Sequence, residues 1–365
     1  MMSQLFNKKF KNKKVIITGH TGFKGSWLSL WLVSLGAKVV GLSIDFPSTP
    51  SFFKAIKLQK KLVHKKVDIR NLRLLKKVFK KTKPDFVFHL AAQSLVKRSY
   101  NRPIYTWTTN TMGTLNVLES LKQVNKKCIA ILITSDKSYK NLEIKRGYKE
   151  DDILGGMDPY SASKASADLA IQSYISSFFF NKKTKVKIGI ARAGNVIGGG
   201  DWSEDRLIPD CVKSWSKNKK VSIRSPKSTR PWQHVLEALS GYIFFALKLE
   251  KNPKLNGEAF NFGPNNLENN NVLKLVKMMK KFWNKVSWKI EKNRKKIFFE
   301  SSLLKLNSDK ARKKLKWKSV LSFQETIMMV SEWYKMYYLK PKNSFNFSLE
   351  QIKRYEKILK KRLNK

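Results

Sequence analysis

The sequence predicts an α/β protein whose core is a parallel sheet covered by helices on both faces. From residue 14 to about residue 187, short apolar runs rich in β-branched residues alternate with longer helical segments. Strands buried on both faces read as continuous apolar runs, and helices between them make the neighbouring strands parallel. The runs are KVIIT (14–18), AKVVGLSI (37–44), KLVHKKV (61–67), DFVFHLA (85–91), CIAILIT (128–134) and VKIGIA (186–191).

The chain has 365 residues, 42% of them hydrophobic, which is enough for a sizeable core. After Asn195 the rhythm changes: glycine, proline and tryptophan become frequent, and short strands near 220–224 and 259–262 indicate a smaller, less regular lobe. We therefore expect a sheet domain at 10–194, with returns from the C-terminal half, a mixed α/β lobe at 195–340 and a basic tail at 341–365.

The tail is predicted to be helical, because its apolar residues recur at helical spacing: Leu349, Ile352, Tyr355, Ile358 or Leu359, and Leu363. One interpretation is a helix docked on the body of the protein. The other is a basic helix that binds a membrane surface or a partner.

The net charge of +49 would by itself favour a polyanion as partner. Lysines are, however, spread along the whole chain without an aromatic-interleaved basic motif, so we interpret them as solvated faces and expect neither nucleic acid nor membrane as a partner. The two cysteines and four histidines show no disulfide framework or metal-ligand spacing. No apolar run approaches the roughly 18 residues of a membrane span. These features favour a cytoplasmic protein without a metal.

A glycine-rich turn follows the first predicted strand. Gly19, Gly22 and Gly25 are spaced G-x-x-G-x-x-G, and a helix is predicted to begin at about Phe23. Such a turn lets a pyrophosphate approach the N–H groups of the helix N-terminus. Twenty residues after Gly25, Asp45 supplies a carboxylate that accepts hydrogen bonds from a ribose and repels a 2′-phosphate. The pattern is typical of a Rossmann-type, doubly wound fold and favours NAD over NADP.

A tyrosine and a lysine share one face of a later predicted helix. Tyr160 and Lys164 form a Y-x-x-x-K pair in MDPYSASKASAD. Tyrosine is a poor base at its ordinary pKa of about 10. A lysine ammonium one turn away, together with a positive nicotinamide ring, favours the phenolate and allows it to take a hydroxyl proton near neutral pH.

The stretch ITSDKSYK (133–140) places an acid and a base directly after a buried strand. Neither Asp136 nor Lys137 helps a core, so they form either a surface ion pair of little energetic value or a set of proton donors and acceptors at a site. Their position beside the other motifs favours the second interpretation.

Together these motifs make the chain similar to the extended short-chain dehydrogenase/reductase family and, within it, to the nucleotide-sugar 4,6-dehydratases. The resemblance covers roughly residues 10–335. Within the family it is nearest to the members that act on CDP-glucose; the members that act on dTDP-glucose have Asp-Glu at Asp136-Lys137. The motifs are TGHTGFKGSWL, FHLAAQSLV, TSDKSY, PYSASKASAD, ARAGNVIGGGDWSEDRLIPD and TRPWQHVLE.

The resemblance implies a lyase that oxidises C4 of the sugar, eliminates water across C5 and C6 and returns hydride to C6, for the biosynthesis of a deoxysugar on a surface polysaccharide. It implies that Tyr160 takes the O4 proton with Lys164 supporting it, Lys137 takes the C5 proton, Asp136 protonates the departing O6, and Ser135 bonds O4. It further implies tightly held NAD, a nucleotide-sugar substrate such as CDP-glucose, and a homodimer or homotetramer formed through helices at about 102–124 and 158–179. The implied cofactor residues are Gly19, Thr21, Gly22, Phe23, Gly25, Asp45, Asp68, Ile69, Ala91, Ala92, Asn110, Tyr160 and Lys164, and the implied substrate residues are Asn195, Arg206, Arg224 and Arg230.

Two alternatives stay open at this stage. One is another nucleotide-sugar dehydratase or a 4-epimerase of the same family. The other is a non-catalytic Rossmann protein whose basic surface binds nucleic acid or membrane, for which salt-dependent binding without turnover is expected.

Overall fold

The computed structural model describes residue 6 and residues 9–180, 184–223, 225–264, 270–291 and 304–363. Within these residues the strands are β1 (Lys14–Thr18), β2 (Lys38–Ser43), β3 (Val63–Lys66), β4 (Phe86–His89), β5 (Cys128–Ile133), β6 (Val186–Ala193), β7 (Val196–Ile197), β8 (Val221–Ile223), β9 (Gln233–His234), β10 (Ala259–Phe262) and β11 (Trp288–Ile290).

The α-helices of the same residues are α1 (Phe23–Ser34), α2 (Phe52–Ala55), α3 (Leu72–Thr82), α4 (Val96–Asn101), α5 (Pro103–Trp107), α6 (Gly113–Leu121), α7 (Pro159–Tyr174), α8 (Leu207–Ser216), α9 (Val235–Lys251), α10 (Val272–Phe282), α11 (Phe323–Leu339) and α12 (Ser344–Leu363). A π-helical turn at Thr108–Met112 joins α5 to α6, and another at Ile175–Phe179 extends α7.

The core of the molecule is a seven-stranded parallel sheet with the order β10-β6-β5-β4-β1-β2-β3. Strands β2 and β3 lie in turn on one side of β1, at one edge of the sheet. The chain then crosses to the other side of β1, where β4, β5, β6 and β10 follow in order to the opposite edge. Between β1 and β4 the loops therefore leave in opposite directions, which opens a crevice at the carboxyl ends of the strands. The predicted doubly wound parallel sheet is confirmed.

Alternating residues of the buried strands supply the two faces of this sheet. On one face, Val15 and Ile17 of β1 join the cluster formed by α1 and α9; on the other, Ile16 joins the cluster that includes Leu75 and Phe79 of α3. Because both faces are covered, every residue of β5 is buried, as its uninterrupted apolar sequence predicts.

The six predicted strands coincide with β1 to β6, and α1 begins at the predicted residue, Phe23. The assignment of the strand near 259–262 to the smaller lobe is wrong. These residues form β10, which pairs in parallel with β6 at the edge of the central sheet. The reason is packing: Phe260 and Phe262 are fully buried against α9, although the strand is far from the others in sequence.

The remaining strands form two small parallel pairs, β8 with β11 and β7 with β9. The helix α12 packs on α1 and α11, and it makes buried polar contacts with α1 and α9. Glu356 accepts a hydrogen bond from Nε1 of Trp31 at 2.7 Å, and the hydroxyl group of Tyr355 donates to Glu237 at 2.8 Å. In the part of the chain that is described, no helix combines the length and apolar character needed to span a membrane.

Candidate active site

The predicted catalytic loop begins where β5 ends. Ser135 caps a single 3₁₀ turn at Asp136–Ser138: its Oγ accepts a hydrogen bond from the backbone N–H of Lys137 at 3.2 Å and donates to Oδ1 of Asp136 at 2.9 Å. Ser135 and Asp136 are each 6% exposed, whereas Lys137 is half-buried. The acid and the base are therefore not an exposed surface pair, and the acid is withdrawn from water.

The second part of the predicted catalytic set lies at the start of α7. Asp158 caps this helix by accepting hydrogen bonds from the N–H groups of Tyr160 and Ser161. Pro159 occupies the first helical position, where a backbone N–H would have no partner within the helix. Tyr160 and Lys164 are both buried, on the same face one turn apart. The helix start thus fixes the tyrosine against the loop after β5.

Hydrogen bonding and charge tie these groups into one cluster. Burial raises the pKa of Tyr160 to about 12; a hydrogen bond with Ser135 lowers it, and the charge of Asp136 raises it. Burial also raises the pKa of Asp136 above its ordinary value, against the charge of Lys137, the bond from Ser135 and the charge of Lys24. A buried carboxyl group that keeps its proton more readily than usual is suited to act as an acid.

The glycine turn lies at the carboxyl end of β1 and leads into α1. A Cβ on Gly25 would lie 2.1 Å from the carbonyl oxygen of Gly19, and one on Gly19, whose φ is +73°, would lie 2.7 Å from the amide nitrogen of Ala91. The turn therefore requires glycine at both positions. At Gly22, the N-cap of α1, no described side chain caps the helix, and its first turn has no acidic residue. The free N–H groups and the missing negative charge suit an anion.

Of the residues expected to bind adenosine, Asp45 is joined to this turn by a hydrogen bond. Thr21 is buried, and its Oγ1 donates to the backbone oxygen of Asp45 at 2.6 Å, which ties the turn to the end of β2. The Asp45 residue itself is exposed. The carboxylate of Asp68 is engaged by Arg70 at 2.6 Å, and Ile69 is buried.

The loop after β4 supplies the other expected cofactor residues. Ala91 and Ala92 are half-buried, and the amide of Ala91 donates to Oγ1 of Thr18 at 3.2 Å. Asn110 is 1% exposed: its side chain accepts from the amide of Gln93 and donates to Oγ of Ser163. In this structure Asn110 ties the loop to α7. Phe23, at the first position of α1, is half-buried.

The three predicted substrate residues that the structure describes lie on three separate segments of the chain. Asn195 is exposed in the short link between β6 and β7. Arg206, at the N-cap of α8, forms an ion pair with Asp201 at 3.1 Å. Its positive charge lowers the pKa of Tyr160. Arg230 is half-buried and donates to the backbone oxygen of Thr229. Arg224 lies outside the described residues.

Two residues near Asp136, Lys24 and Gly194, were not among the site residues predicted from the sequence. Nζ of Lys24 donates to the carbonyl oxygen of Gly194 at 3.3 Å; burial lowers the pKa of Lys24 to about 8, and Asp136 opposes this. A Cβ on Gly194 would lie 2.9 Å from Oδ2 of Asp136. Lys24 could have been selected from the sequence, because it is a cation beside the glycine-rich turn. The contact between Gly194 and Asp136 can be identified only from the fold.

Comparison with known proteins agrees with this geometry. The family model described as GDP-mannose 4,6 dehydratase matches residues 16–330. The CDP-glucose 4,6-dehydratase of Salmonella typhimurium is 43% identical over 336 residues, which cover 91% of this chain and 93% of that protein.

Two solved structures show the fold. The epimerase Mth375 of Methanothermobacter thermautotrophicus has a TM-score of 0.77 at 23% identity, over 92% of this chain and 96% of that one. The dTDP-glucose 4,6-dehydratase of Bacillus anthracis, solved in complex with NAD, has a TM-score of 0.71 at 21% identity, over 88% and 96%. The matched residues span the sheet, the predicted catalytic loop and the second lobe, and the chain therefore belongs to the GDP-mannose 4,6 dehydratase family.

Proposed function

We propose that this protein is an NAD-dependent lyase that converts CDP-glucose to CDP-4-keto-6-deoxyglucose. The observation that carries the proposal is the pair Asp136 and Lys137, an acid and a base held beside Tyr160 at the carboxyl end of β5. An enzyme that only oxidises and reduces C4 needs Tyr160 and Lys164. An enzyme that also removes water across C5 and C6 needs one more base and one more acid.

The glycine turn fits a dinucleotide. Gly19, Gly22 and Gly25 would hold the pyrophosphate at the N-terminus of α1, and Asp45 would bind the adenosine ribose. When bound, NAD⁺ supplies the hydride acceptor for C4 and later the hydride donor for C6. Thr21 and Phe23, the loop at Ala91 and Ala92, and Asp68, Ile69 and Asn110 complete the proposed cofactor site.

In the first step Tyr160 takes the proton of the sugar O4 as the C4–H bond breaks. The pKa of Tyr160 must fall for this, since its surroundings, burial above all, raise it to about 12. The ammonium of Lys164 lies one helical turn away and favours the phenolate. The hydroxyl group of Ser135 bonds Tyr160, which places it to bond O4 as well.

The 4-ketone acidifies the neighbouring C5–H bond, and the second step uses the catalytic loop. Lys137 takes the C5 proton, the C6–O6 bond breaks, and Asp136 gives its proton to O6, which leaves as water. After hydride reaches C6, the proton on Lys137 returns to C5. Over the cycle Tyr160 gains one proton, from O4, and Asp136 loses one, to O6. Atoms and charges balance when Tyr160 releases its proton to the solvent and Asp136 takes one up.

The nucleotide diphosphate is proposed to lie against the second lobe. Arg206 and Arg230 would contact its phosphates, because a guanidinium group can bind two oxygens at once. Asn195 would contact the phosphate nearest the sugar, and Arg224 is proposed from the sequence alone. Arg206 must then leave or share its bond with Asp201.

The choice of CDP over other nucleotides is supported by the 43% identity with the Salmonella protein across nearly the whole of both chains. A panel of CDP-, dTDP-, GDP- and UDP-hexoses tests it, with the alkaline absorbance of the 4-keto product as readout. We expect CDP-glucose to have the largest kcat/KM. Preferential turnover of dTDP-glucose would overturn the nucleotide assignment, and formation of a galactose epimer without loss of water would overturn the dehydratase assignment.

We also propose that the protein works in the cytoplasm, where its product would enter the biosynthesis of a deoxysugar for a surface polysaccharide. Cys128 and Cys211 are both buried as free thiols, which suits a reducing compartment. The proposed division at residues 194 and 340 separates the cofactor domain from the substrate lobe and the tail, with β10 returning to the first domain.

A homodimer is proposed through α5, α6 and α7, with a tetramer as a further assembly. These helices and the π-helical turn that extends α7 expose large apolar side chains: Ile104 is 74% exposed, Leu169 54% and Phe178 43%. A two-fold axis between copies would bury the same apolar surface on both chains.

A further inference from the structure

A fully buried ion pair lies behind the catalytic loop. Arg192 of β6 donates from Nε and Nη2 to the two carboxylate oxygens of Asp168 on α7, at 2.9 and 2.8 Å. The exposed fractions of the two side chains are 2% and 0%. A bidentate pair of this kind fixes both position and orientation, because two parallel hydrogen bonds must be kept.

The loop that carries Ser135, Asp136 and Lys137 is attached to this pair at both of its ends. Before the loop, Oγ1 of Thr134 donates to Oδ2 of Asp168 at 2.8 Å. After it, Nη1 of Arg192 donates to the hydroxyl oxygen of Tyr139 at 2.8 Å.

The bonds of Tyr139 continue away from the loop. Its hydroxyl group donates to Oδ1 of Asn261 on β10, also at 2.8 Å. Nη1 of Arg192 further donates to the carbonyl oxygen of Glu150. The ion pair therefore meets both ends of one short loop, while neither of its members belongs to that loop.

We propose that Asp168 and Arg192 are positioning residues, which clamp the loop of Asp136 and Lys137 against the helix of Tyr160 and Lys164. Asp168 follows Lys164 by one helical turn on α7. The clamp thus sets the distance between Tyr160, which takes the O4 proton, and the pair Asp136 and Lys137, which serve the elimination of water. This inference rests on the proposed function, because it assigns the two steps to two separate elements.

The clamp affects the two steps differently. Tyr160 and Lys164 belong to α7, whose cap at Asp158 lies outside the network, so C4 oxidation depends on the loop only through the bond between Ser135 and Tyr160 and should largely survive loosening of the loop. Elimination should not, because a misplacement of about 1 Å can cost on the order of a hundredfold in rate. Only the ratio of the two steps reports the clamp.

Removing either charge would leave the other buried without its partner, which strongly destabilises a fold. The informative variants therefore keep the pair and remove its bonds to the loop. Thr134→Val removes the bond to Asp168, and Tyr139→Phe removes the bond to Arg192, each with little change in volume. The matched control is Tyr148→Phe: Tyr148 is equally buried and stacks on Tyr139 at 5.1 Å, but its hydroxyl group bonds Asn141 and the amide of Leu142.

The experiment compares the wild type with these variants in two measurements. With CDP-glucose, the rate of deuterium uptake from the solvent at C5 reports elimination. The primary kinetic isotope effect with substrate deuterated at C4 reports oxidation. We expect Thr134→Val and Tyr139→Phe to lower elimination at least about tenfold relative to oxidation, and Tyr148→Phe to leave the ratio unchanged. Equal losses in both steps, or no loss, would overturn the clamp.

The second measurement does not depend on activity. Hydrogen exchange of the amides at 134–139 should become faster in Thr134→Val and Tyr139→Phe, while exchange within β5 stays slow. Unchanged exchange in the loop would overturn the clamp even if the wild type converted no nucleotide sugar. Failure of the wild type to convert any sugar of the panel would instead overturn the proposed function.

Discussion

Nζ of Lys164 donates a hydrogen bond to the backbone carbonyl oxygen of Ile133, at 3.1 Å. Ile133 is the last residue of β5, so the bond joins the helix of the proposed base to the strand that ends in the catalytic loop. The ammonium is buried there, which lowers the pKa of Lys164 to about 8; the charge of Asp168 opposes this.

A pH dependence follows from this position. Below about pH 8 Lys164 is an ammonium that supports the phenolate of Tyr160, and as the pH rises through that value the support is lost. We expect kcat/KM for CDP-glucose to fall on the alkaline side with an apparent pKa well below the 10.5 of an ordinary lysine. In Lys164→Arg the positive charge persists and the fall should move to higher pH. A rate that stays constant to about pH 10 would contradict this role.

Lys137→Ala should stall the reaction after its first step. Tyr160 and Lys164 remain, so C4 oxidation should proceed and reduced nicotinamide should accumulate on the enzyme, visible by its absorbance. Deuterium uptake at C5 should be lost, because no base faces that carbon. Tyr160→Phe is the control, since it should abolish even the first oxidation. Near-normal dehydration by Lys137→Ala would show that another group takes the C5 proton.

Asp136→Asn should fail at the departure of O6, because the amide cannot supply the proton. A substrate with fluorine in place of O6 has a leaving group that needs much less proton transfer. We expect Asp136→Asn to lose at least about a hundredfold with CDP-glucose and to recover with the 6-fluoro substrate. Lys137→Ala should not recover, which separates the acid from the base. Equal losses with both substrates would contradict the assignment of the acid.

Gly194→Ala tests whether the acid needs its close contact with the backbone. The added Cβ would lie 2.9 Å from Oδ2 of Asp136, so the carboxyl group must shift. We expect slower elimination with C4 oxidation and the melting temperature nearly unchanged, because the backbone at Gly194 is not in the left-handed region. Rates equal to the wild type in both steps would show that Asp136 tolerates the shift.

The proposed dimer is tested by charges placed on its apolar helices. Ile104→Glu and Leu169→Glu should shift the protein toward a monomer in sedimentation experiments, because each would place a carboxylate in the interface. Leu339→Glu is the matched control: Leu339 is 66% exposed, but it lies at the end of α11. A wild-type monomer at micromolar concentration would remove the proposal.

The sequence was informative wherever one segment determines its own structure. β5 and most of β1, β4 and β6 are buried, so their runs are largely apolar, whereas β3, at the edge of the sheet, reads VHKK and is mostly exposed. The glycine turn needs its residues for local geometry. It was less informative where distant segments meet. β10 was assigned to the wrong lobe because a four-residue strand shows no neighbour in sequence. The pair of Asp168 and Arg192 was invisible, since a charged residue inside a helix or after an apolar run is normally interpreted as solvated.

Within the site, the sequence suggests Asp136, Lys137, Tyr160 and Lys164, because the first two follow an apolar run and the other two share one face of a predicted helix. The second lobe was harder. Arg206 was selected for phosphate, but the fold also pairs it with Asp201, and that partner could not be identified without the loop conformation.

The hydrogen bond from Trp31 to Glu356 joins residues 325 positions apart, so it cannot form until nearly the whole chain has been synthesised. At a synthesis rate of roughly 5–20 residues per second, Trp31 waits about 15 to 65 s before its partner exists. Until then the face of α1 that α12 covers remains open on the nascent chain. Strands β1 to β6 can therefore pair before β10 and α12 have been synthesised, but this face of α1 is covered only when α12 is present.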